Sequence, residues 1–337
     1  MAKLPSCEDY EISINVPRLI KSPKLSRGHV EKNAIGTTIN YVGGFCIVFP
    51  YYKFNGEKTA VRCWIANVDE AKERTRRIAE ELKRIQLPYF VNFEYEPDGL
   101  ATNFGIQPIV LMDWVNANPL KDYIQSHLSS PDDLRRLADS FKTMVEDLHK
   151  AGISHGDLQH GNILVKNDGS LVLVDYDSIY VPSLHGFKDD IKGLAGYQHP
   201  ARWTNTYASE VVDYFSELII YTSIVALSYF PSLWKELKIC DTETLLFSAD
   251  DIKSKGTSSI FQKLDSHPAL KPLSDSIKKA LQCNRLEDLF PLEEAIIPLT
   301  QKISGGIRGK WNNPPRIERT EFTPDTTETR AKWNKPK

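Results

Sequence analysis

Apolar and polar positions repeat with two different periods along the 337 residues, and the switches between them outline the elements. Residues 39–65 read as strands: the apolar run INYVGGFCIVFPYY, an Asn55-Gly56 turn, then KTAVRCWIA, which predicts two strands joined by a hairpin. Residues 68–86 (VDEAKERTRRIAEELKRIQ) change to a 3–4 spacing with Ile78, Leu82 and Ile85 as an apolar stripe, predicting a helix that Pro88 stops. FVNFEYE and GIQPIVLMDWV read as strands again. SSPDDLRRLADSFKTMVEDLHKAG predicts a second helix, from a capping start at Ser130-Pro131-Asp132-Asp133 to Gly152. ISHGDLQHGNILVKNDGSLVLVDYDS follows as loop, short strand, Asp168-Gly169 turn and second strand, and from residue 205 to about 303 the pattern is helical. Leu218–Trp234 runs 17 residues without a charge. Its length and its Tyr221, Ser223, Tyr229 and Pro231 fit a helix buried in a large lobe better than a membrane span.

The ends are different. Residues 1–34 contain Pro5, Pro17 and Pro23 and no period, which predicts an irregular lead-in. Residues 305–337 carry eight basic against four acidic residues and almost no aliphatics, which predicts an extended or disordered tail. Within that tail Lys310-Trp311-Asn312-Asn313-Pro314 is echoed by Lys332-Trp333-Asn334-Lys335-Pro336, a pattern suited to docking a regulatory partner.

Composition narrows the class. Hydrophobic residues are 41% and charged residues 26%, enough to bury a core without staples, and 42 basic against 44 acidic residues leave a net charge of −2. That balance argues against a nucleic-acid or membrane partner. Cys7, Cys46, Cys63, Cys240 and Cys283 are odd in number, scattered and without a CxxC pair, so neither a disulfide framework nor a structural zinc site is expected. A reducing compartment fits this usage. With no apolar stretch in Met1–Tyr10 to make a signal peptide, a cytoplasmic location is expected.

The chemistry concentrates in two turns. His155-Gly156-Asp157-Leu158-Gln159-His160-Gly161-Asn162 places Asp157 and Asn162 on one loop, and the hairpin through Asp168-Gly169 returns Val174-Asp175-Tyr176-Asp177 beside it. Phosphoryl transfer from ATP needs one carboxylate to orient a hydroxyl and take its proton. It also needs a carboxylate and an amide oxygen to hold Mg²⁺. Three oxygen-bearing side chains converging from adjacent turns meet that need.

These residues resemble the protein kinase-like superfamily, in a bacterial-type Ser/Thr kinase-like variant. HGDLQHGN is similar to the catalytic loop H-x-D-x-x-x-x-N, and DYD to the metal-binding DFG turn. The resemblance implies Asp157 as catalytic base, Asn162 as a metal ligand and Asp175 as the main metal ligand. Gly193–Pro200 (GLAGYQHP) resembles the stretch that closes an activation segment, and Asp213-Tyr214-Phe215-Ser216 the D-x-W-S motif opening the central helix of the large lobe. Val110–Val115 (VLMDWV) resembles the hinge that receives adenine. It implies Met112 as gatekeeper and backbone adenine bonds from Asp113 and Val115. The fold implied is a two-lobed α+β kinase fold, with a small antiparallel β lobe carrying one helix over 35–115 and a large mainly helical lobe over 116–304. The activity implied is ATP- and Mg²⁺-dependent transfer to Ser or Thr hydroxyls of a protein substrate.

Departures keep two other readings open. In Tyr41–Val48 (YVGGFCIV) only Gly43 matches an expected glycine of the phosphate loop, with Gly44 beside it. Arg62 stands where the phosphate-binding lysine is expected, with Glu80 or Glu81 as candidate helix partners. Asp177 replaces the DFG glycine, as an extra metal ligand or a repulsive load. These features suit a pseudokinase, a scaffold that retains nucleotide. Gly156 replaces the arginine of H-R-D, which makes switching by loop phosphorylation less expected and resembles small-molecule phosphotransferases. His149 is read as capping its helix, and His155 as bonding backbone near the metal turn.

Overall fold

The computed structural model describes residues 4–66 and 70–296. The tail at 305–337, with its paired Lys-Trp-Asn segments, lies outside them. The chain begins with α1 (Cys7–Asn15) and then builds an antiparallel sheet from β1 (His29–Val30), β2 (Tyr41–Val42), β3 (Cys46–Tyr52) and β4 (Lys58–Trp64). After α2 (Ala71–Ile85) come β5 (Phe93–Thr102) and β6 (Gly105–Asp113). The six strands lie in the order β1-β3-β4-β6-β5, with β2 also on β3. Asn55-Gly56 makes the β3–β4 turn, and Gly56 adopts the positive φ of 85° that this tight reversal needs.

Where the sequence predicts an irregular lead-in, α1 is a capped helix. The Ser6 side chain accepts from the Asp9 N–H and the Asp9 carboxylate accepts from the Ser6 N–H. Tyr10 and Ile14 of α1, with Leu25 and Val30, complete a core on one face of the sheet against Ile47, Phe49, Tyr51, Val61, Leu100 and Ile109.

The second half is mainly helical. A short β7 (Asn118–Pro119) leads into α3 (Leu120–Ser126) and α4 (Pro131–Ala151), which Gly152 ends at φ 66°. β8 (Ile163–Val165) and β9 (Leu171–Leu173) pair through the Asp168-Gly169 turn, and β7 joins β8. Then come α5 (Tyr214–Tyr229), α6 (Leu233–Glu236), α7 (Ala249–Lys253), α8 (Ser259–Asp265) and α9 (Lys271–Ala280). α5 is the charge-poor run expected from the sequence, and nearly every residue from Phe215 to Ser228 is buried in protein. The result is a two-lobed α+β architecture. One continuous core crosses between the lobes, from Ile78, Leu82 and Phe93 through Tyr176 to Phe141, Leu148 and Ile224.

His149, read as capping α4, instead gives both ring nitrogens to carboxylates. Its Nδ1 lies 2.9 Å from Glu293 and its Nε2 3.0 Å from Glu217 on α5. Both partners are acceptors, so the ring donates twice and is held as imidazolium. Burial works against that charge, but Glu217 and Glu293 outweigh it and push the His149 pKa up to about 9, while burial pushes Glu217 up to about 7. Both groups bind protons more tightly folded than unfolded, so both lose stabilisation as pH rises: Glu217 from about 4.5 to 7, His149 from about 6.5 through 9. The melting temperature is therefore expected to fall steadily between pH 6.5 and 9, and Glu217→Gln to flatten that slope. An unchanged slope in E217Q would show that the pair does not set it.

Candidate active site

The two turns meet as the hairpin dictates. Val174 N–H donates to the Asn162 carbonyl at 3.0 Å, tying the end of β9 to the loop before β8. On that loop the Asn162 Nδ2 donates to the Asp157 carbonyl at 2.8 Å and to Asp157 Oδ2 at 3.2 Å. Both of these neighbours are acceptors, so the amide nitrogen must face them and the amide oxygen turns away from Asp157. Gln159 Nε2 lies 3.3 Å from Asp157 Oδ2, and the Leu194 N–H donates to Asp157 Oδ1 at 3.1 Å. The carboxylate is thus held from two sides, one on its own loop and one on the 187–206 segment.

Asp175 sits at φ 65°, in the left-handed region that aspartate tolerates better than most side chains. Its side chain is 48% exposed to the cleft. Desolvation by the cleft walls, then the charge of Asp177, push its carboxyl up to about 6. Arg62 and His155 oppose that rise, and Asp157 adds to it. Tyr176 follows, turned inward and 1% exposed. Its hydroxyl donates to the Leu173 carbonyl at 2.8 Å and accepts from the Val91 N–H at 2.9 Å, so a tyrosine is satisfied in an otherwise apolar slot against Phe90 and Phe93. His155 bonds the Val174 carbonyl through Nε2 at 2.9 Å, as expected of a backbone-anchoring histidine. Asp213, at the start of α5, accepts from the N–H groups of both His155 and Gly156.

Arg62 departs from expectation. It is 5% exposed and pairs with Asp177, with Asp175 Oδ1 at 3.9 Å and its Nε 3.0 Å from Cys46 Sγ. Burial opposes its charge, but Asp177, Cys46 and Asp175 outweigh burial and hold its pKa well above the usual value. Neither Glu80 nor Glu81 is its partner. Glu80 bonds Arg76 at 2.6 Å and Glu81 pairs with Arg84, so both are satisfied within α2 itself. What α2 sends toward the turn is Arg74, which donates to the carbonyls of Asp177 at 3.1 Å and Ile179 at 2.9 Å. Asp177 is therefore Arg62's counter-ion, and its charge still loads the neighbouring Asp175, whose carboxyl it helps push up.

Beside these groups an apolar cleft of about 110 Å³ lies between the lobes, walled by Val48, Ala60, Val91, Met112, Val115 and Val174, with Arg62 and Asp175 at its polar end. Asp113 and Val115 lie along this wall as the hinge resemblance implies. Met112 is buried at the back, with its carbonyl accepting from Thr59 Oγ1 at 2.8 Å. Gly43 lines the opening, but its N–H is already given to the Cys46 carbonyl at 2.8 Å. Gly44 sits exposed at the tip of the turn, outside the cleft wall, with open space where a side chain would go.

Sequence reasoning missed Arg202 and Asp189. Arg202 is 0% exposed and donates through Nε and Nη2 to the two oxygens of Asp189 at 2.5 and 2.8 Å. The only signal was indirect: Gly156 leaves the catalytic loop without its usual arginine. Gly156 itself is fixed by space, since its φ is 77° and a Cβ there would stand 2.2 Å from the Ser178 carbonyl oxygen.

Comparison with known proteins agrees with this geometry. Residues 42–284 match the family model of the protein kinase domain. The interferon-induced, double-stranded RNA-activated protein kinase of Rattus norvegicus is 23% identical over 265 residues, 71% of this chain and 50% of that protein. The TGF-beta receptor type-2 of Mus musculus is 27% identical over 192 residues, covering 52% of this chain and 31% of the receptor. Serine/threonine-protein kinase RAD53 of Saccharomyces cerevisiae is 26% identical over 119 residues, 34% of this chain and 14% of its own length. The chain thus spans half or less of the length of these relatives. With the family model matching well over half of the residues, on a fold of the same two-lobed kind, the chain belongs to the protein kinase domain family.

Proposed function

We propose that the protein transfers the γ-phosphoryl group of ATP to Ser or Thr hydroxyls of protein substrates. One observation carries the reading: Asp157 is held by the Asn162 amide and the Leu194 N–H, and the adjoining turn brings Asp175 into the wall of an apolar cleft. In this reading the cleft receives adenine between Ala60, Val48 and Val174, and the backbone of Asp113 and Val115 orients it. Asp157 Oδ2 orients the acceptor hydroxyl and takes its proton as the new P–O bond forms and the bond from the γ-phosphorus to the β–γ bridging oxygen breaks, with ADP leaving. Mg²⁺ fits the donors present, which are all hard oxygens: the Asp175 carboxylate and the Asn162 Oδ1 that its two Nδ2 bonds turn outward. When bound there, the metal would neutralise phosphate charge. Protein rather than small-molecule acceptors are favoured by the ordered 187–206 segment, which builds a platform beside Asp157.

A second reading, a nucleotide-binding pseudokinase, is favoured by one feature: Arg62 is buried and spent on Asp177, which leaves it less free to hold phosphates. Incubation with γ-labelled ATP, Mg²⁺ and generic protein substrates decides between them. Metal-dependent label on serine or threonine supports the enzyme. Thermal stabilisation by nucleotide with no transfer under any metal selects the pseudokinase, and label only on small hydroxylated metabolites would move the acceptor class.

A further inference from the structure

The 187–206 segment is held by an arginine that lies within it. Besides both oxygens of Asp189, Arg202 donates to the Gln198 Oε1 at 3.1 Å and to the Val212, Ile191 and Gly156 carbonyls at 3.4, 3.3 and 2.9 Å. Asp189 is closed from the other side by Asn205 Nδ2 at 3.1 Å and Lys192 Nζ at 3.3 Å. Every arm of the guanidinium is therefore used, on acceptors that span the segment, the start of α5 and the catalytic loop. Two of these links bracket the reactive carboxylate. Gly156, whose carbonyl Arg202 holds, is the residue before Asp157. Leu194, whose N–H holds Asp157 Oδ1, lies in the loop that Arg202 fastens at Ile191 and Gln198. Gly193 is pressed so close that a Cβ there would stand 2.6 Å from Asp157 Oδ1, so small shifts of the segment reach the carboxylate directly.

We propose that Arg202 is a positioning residue whose ion pair with Asp189 locks the 187–206 segment onto the catalytic loop and sets Asp157, so that the segment needs no phosphorylation to become ordered. The charge that a phosphate would bring is already supplied by Asp189. Two arginines of α2 that face the segment are likewise spent: Arg74 on the carbonyls of Asp177, Ile179 and Lys188, and Arg77, over the Phe187 ring, on Glu73 and the Ser183 carbonyl. This inference rests on the phosphotransfer reading for its rate measurements, but not for its structural one.

The test compares wild type, Arg202→Lys and the paired variant Arg202→Met with Asp189→Leu. Removing one partner alone would strand a buried charge and risk unfolding, whereas replacing both by apolar side chains of similar size keeps burial favourable. Wild-type protein treated with phosphatase, and shown by intact mass to be unmodified, is expected to keep its full rate. The paired variant is expected to melt cooperatively and keep its KM for ATP within about threefold, but to lose about 100-fold in kcat, the scale of a misplacement near one ångström. R202K keeps the charge without the fork and should fall between. A paired variant with wild-type kcat, or an unmodified wild type about tenfold or more slower than a segment-phosphorylated form, would overturn the proposal. Should wild type transfer no phosphoryl group, the phosphotransfer reading fails by itself, and amide hydrogen exchange decides the lock. Faster exchange across 187–206 and 155–162 in the paired variant sustains it, and exchange equal to wild type sinks it.

Discussion

Asp157→Asn is expected to lower the phosphoryl-transfer rate by about a thousandfold, within the range that a positioned general base contributes. The substitution is nearly isosteric. The amide oxygen of the new side chain can still accept from the Leu194 N–H, now 3.1 Å from Oδ1, so the 187–206 segment keeps its seat. What is lost is the proton-accepting oxygen that now faces Gln159 and Asn162. Because the cleft walls and Asp175 are untouched, the dissociation constant for the ATP–Mg²⁺ complex should stay within about threefold, and the loss should appear in kcat rather than in KM. Single-turnover measurement with labelled ATP separates the two. A variant that retains more than about a tenth of the wild-type rate would remove Asp157 from the role of base and leave positioning by the cleft as the main source of catalysis.

The parts of this arrangement that local sequence controls were legible. Short apolar runs between turn signals gave β3, β4 and β6, and the turns at Asn55-Gly56 and Asp168-Gly169 follow from glycines at φ 85° and 82°. Spacing on one loop put Asn162 against Asp157, five residues apart, and the hairpin returned Asp175. Helix α1 escaped the pattern because only Tyr10, Ser13 and Ile14 of its nine residues are buried, and three prolines nearby suggested an irregular lead-in. Its one readable sign was the Ser6–Asp9 capping box.

Tertiary pairings were not legible, for a physical reason. Arg62 and Asp177 lie 115 positions apart, and nothing in either neighbourhood encodes the other. Yet the two departures from the family pattern, an arginine for the lysine and an aspartate for the glycine, turn out to be one exchange. The negative charge that a helix glutamate would supply to this strand position comes instead from the metal turn. This ties the charge on β4 to the Asp175 turn rather than to the placement of α2, whose own link to that turn is the Arg74 guanidinium on backbone carbonyls. Arg202 and Asp189 were hidden in the same way. Charged residues are ordinarily read as surface, and only the fold shows that this pair has an exposure of 0% and 5%.

The same exchange makes Asp175→Asn the second variant with a large expected effect. The substitution removes the carboxylate proposed to hold Mg²⁺ and leaves Arg62 to Asp177 alone. Transfer at saturating nucleotide should drop by about 100- to 1000-fold, the cost of deleting one preorganised electrostatic group at a reacting centre, and the Mg²⁺ concentration giving half-maximal rate should rise. Asp177→Asn is the informative control, because both residues are acidic, neighbouring and within reach of Arg62. If Asp177 serves only as counter-ion, D177N loosens Arg62 while the Mg²⁺ midpoint stays near that of wild type. If D177N instead shifts the Mg²⁺ midpoint as far as D175N does, Asp177 is itself a ligand and the division of labour between the two carboxylates is wrong. Metal titrations of the transfer rate for the three proteins, at one fixed ATP concentration well above KM, distinguish these outcomes. The left-handed backbone at Asp175, φ 65°, favours the first: an aspartate tolerates that strain where its carboxylate is aimed into the cleft, whereas Asp177 is turned back onto the sheet by the arginine it neutralises.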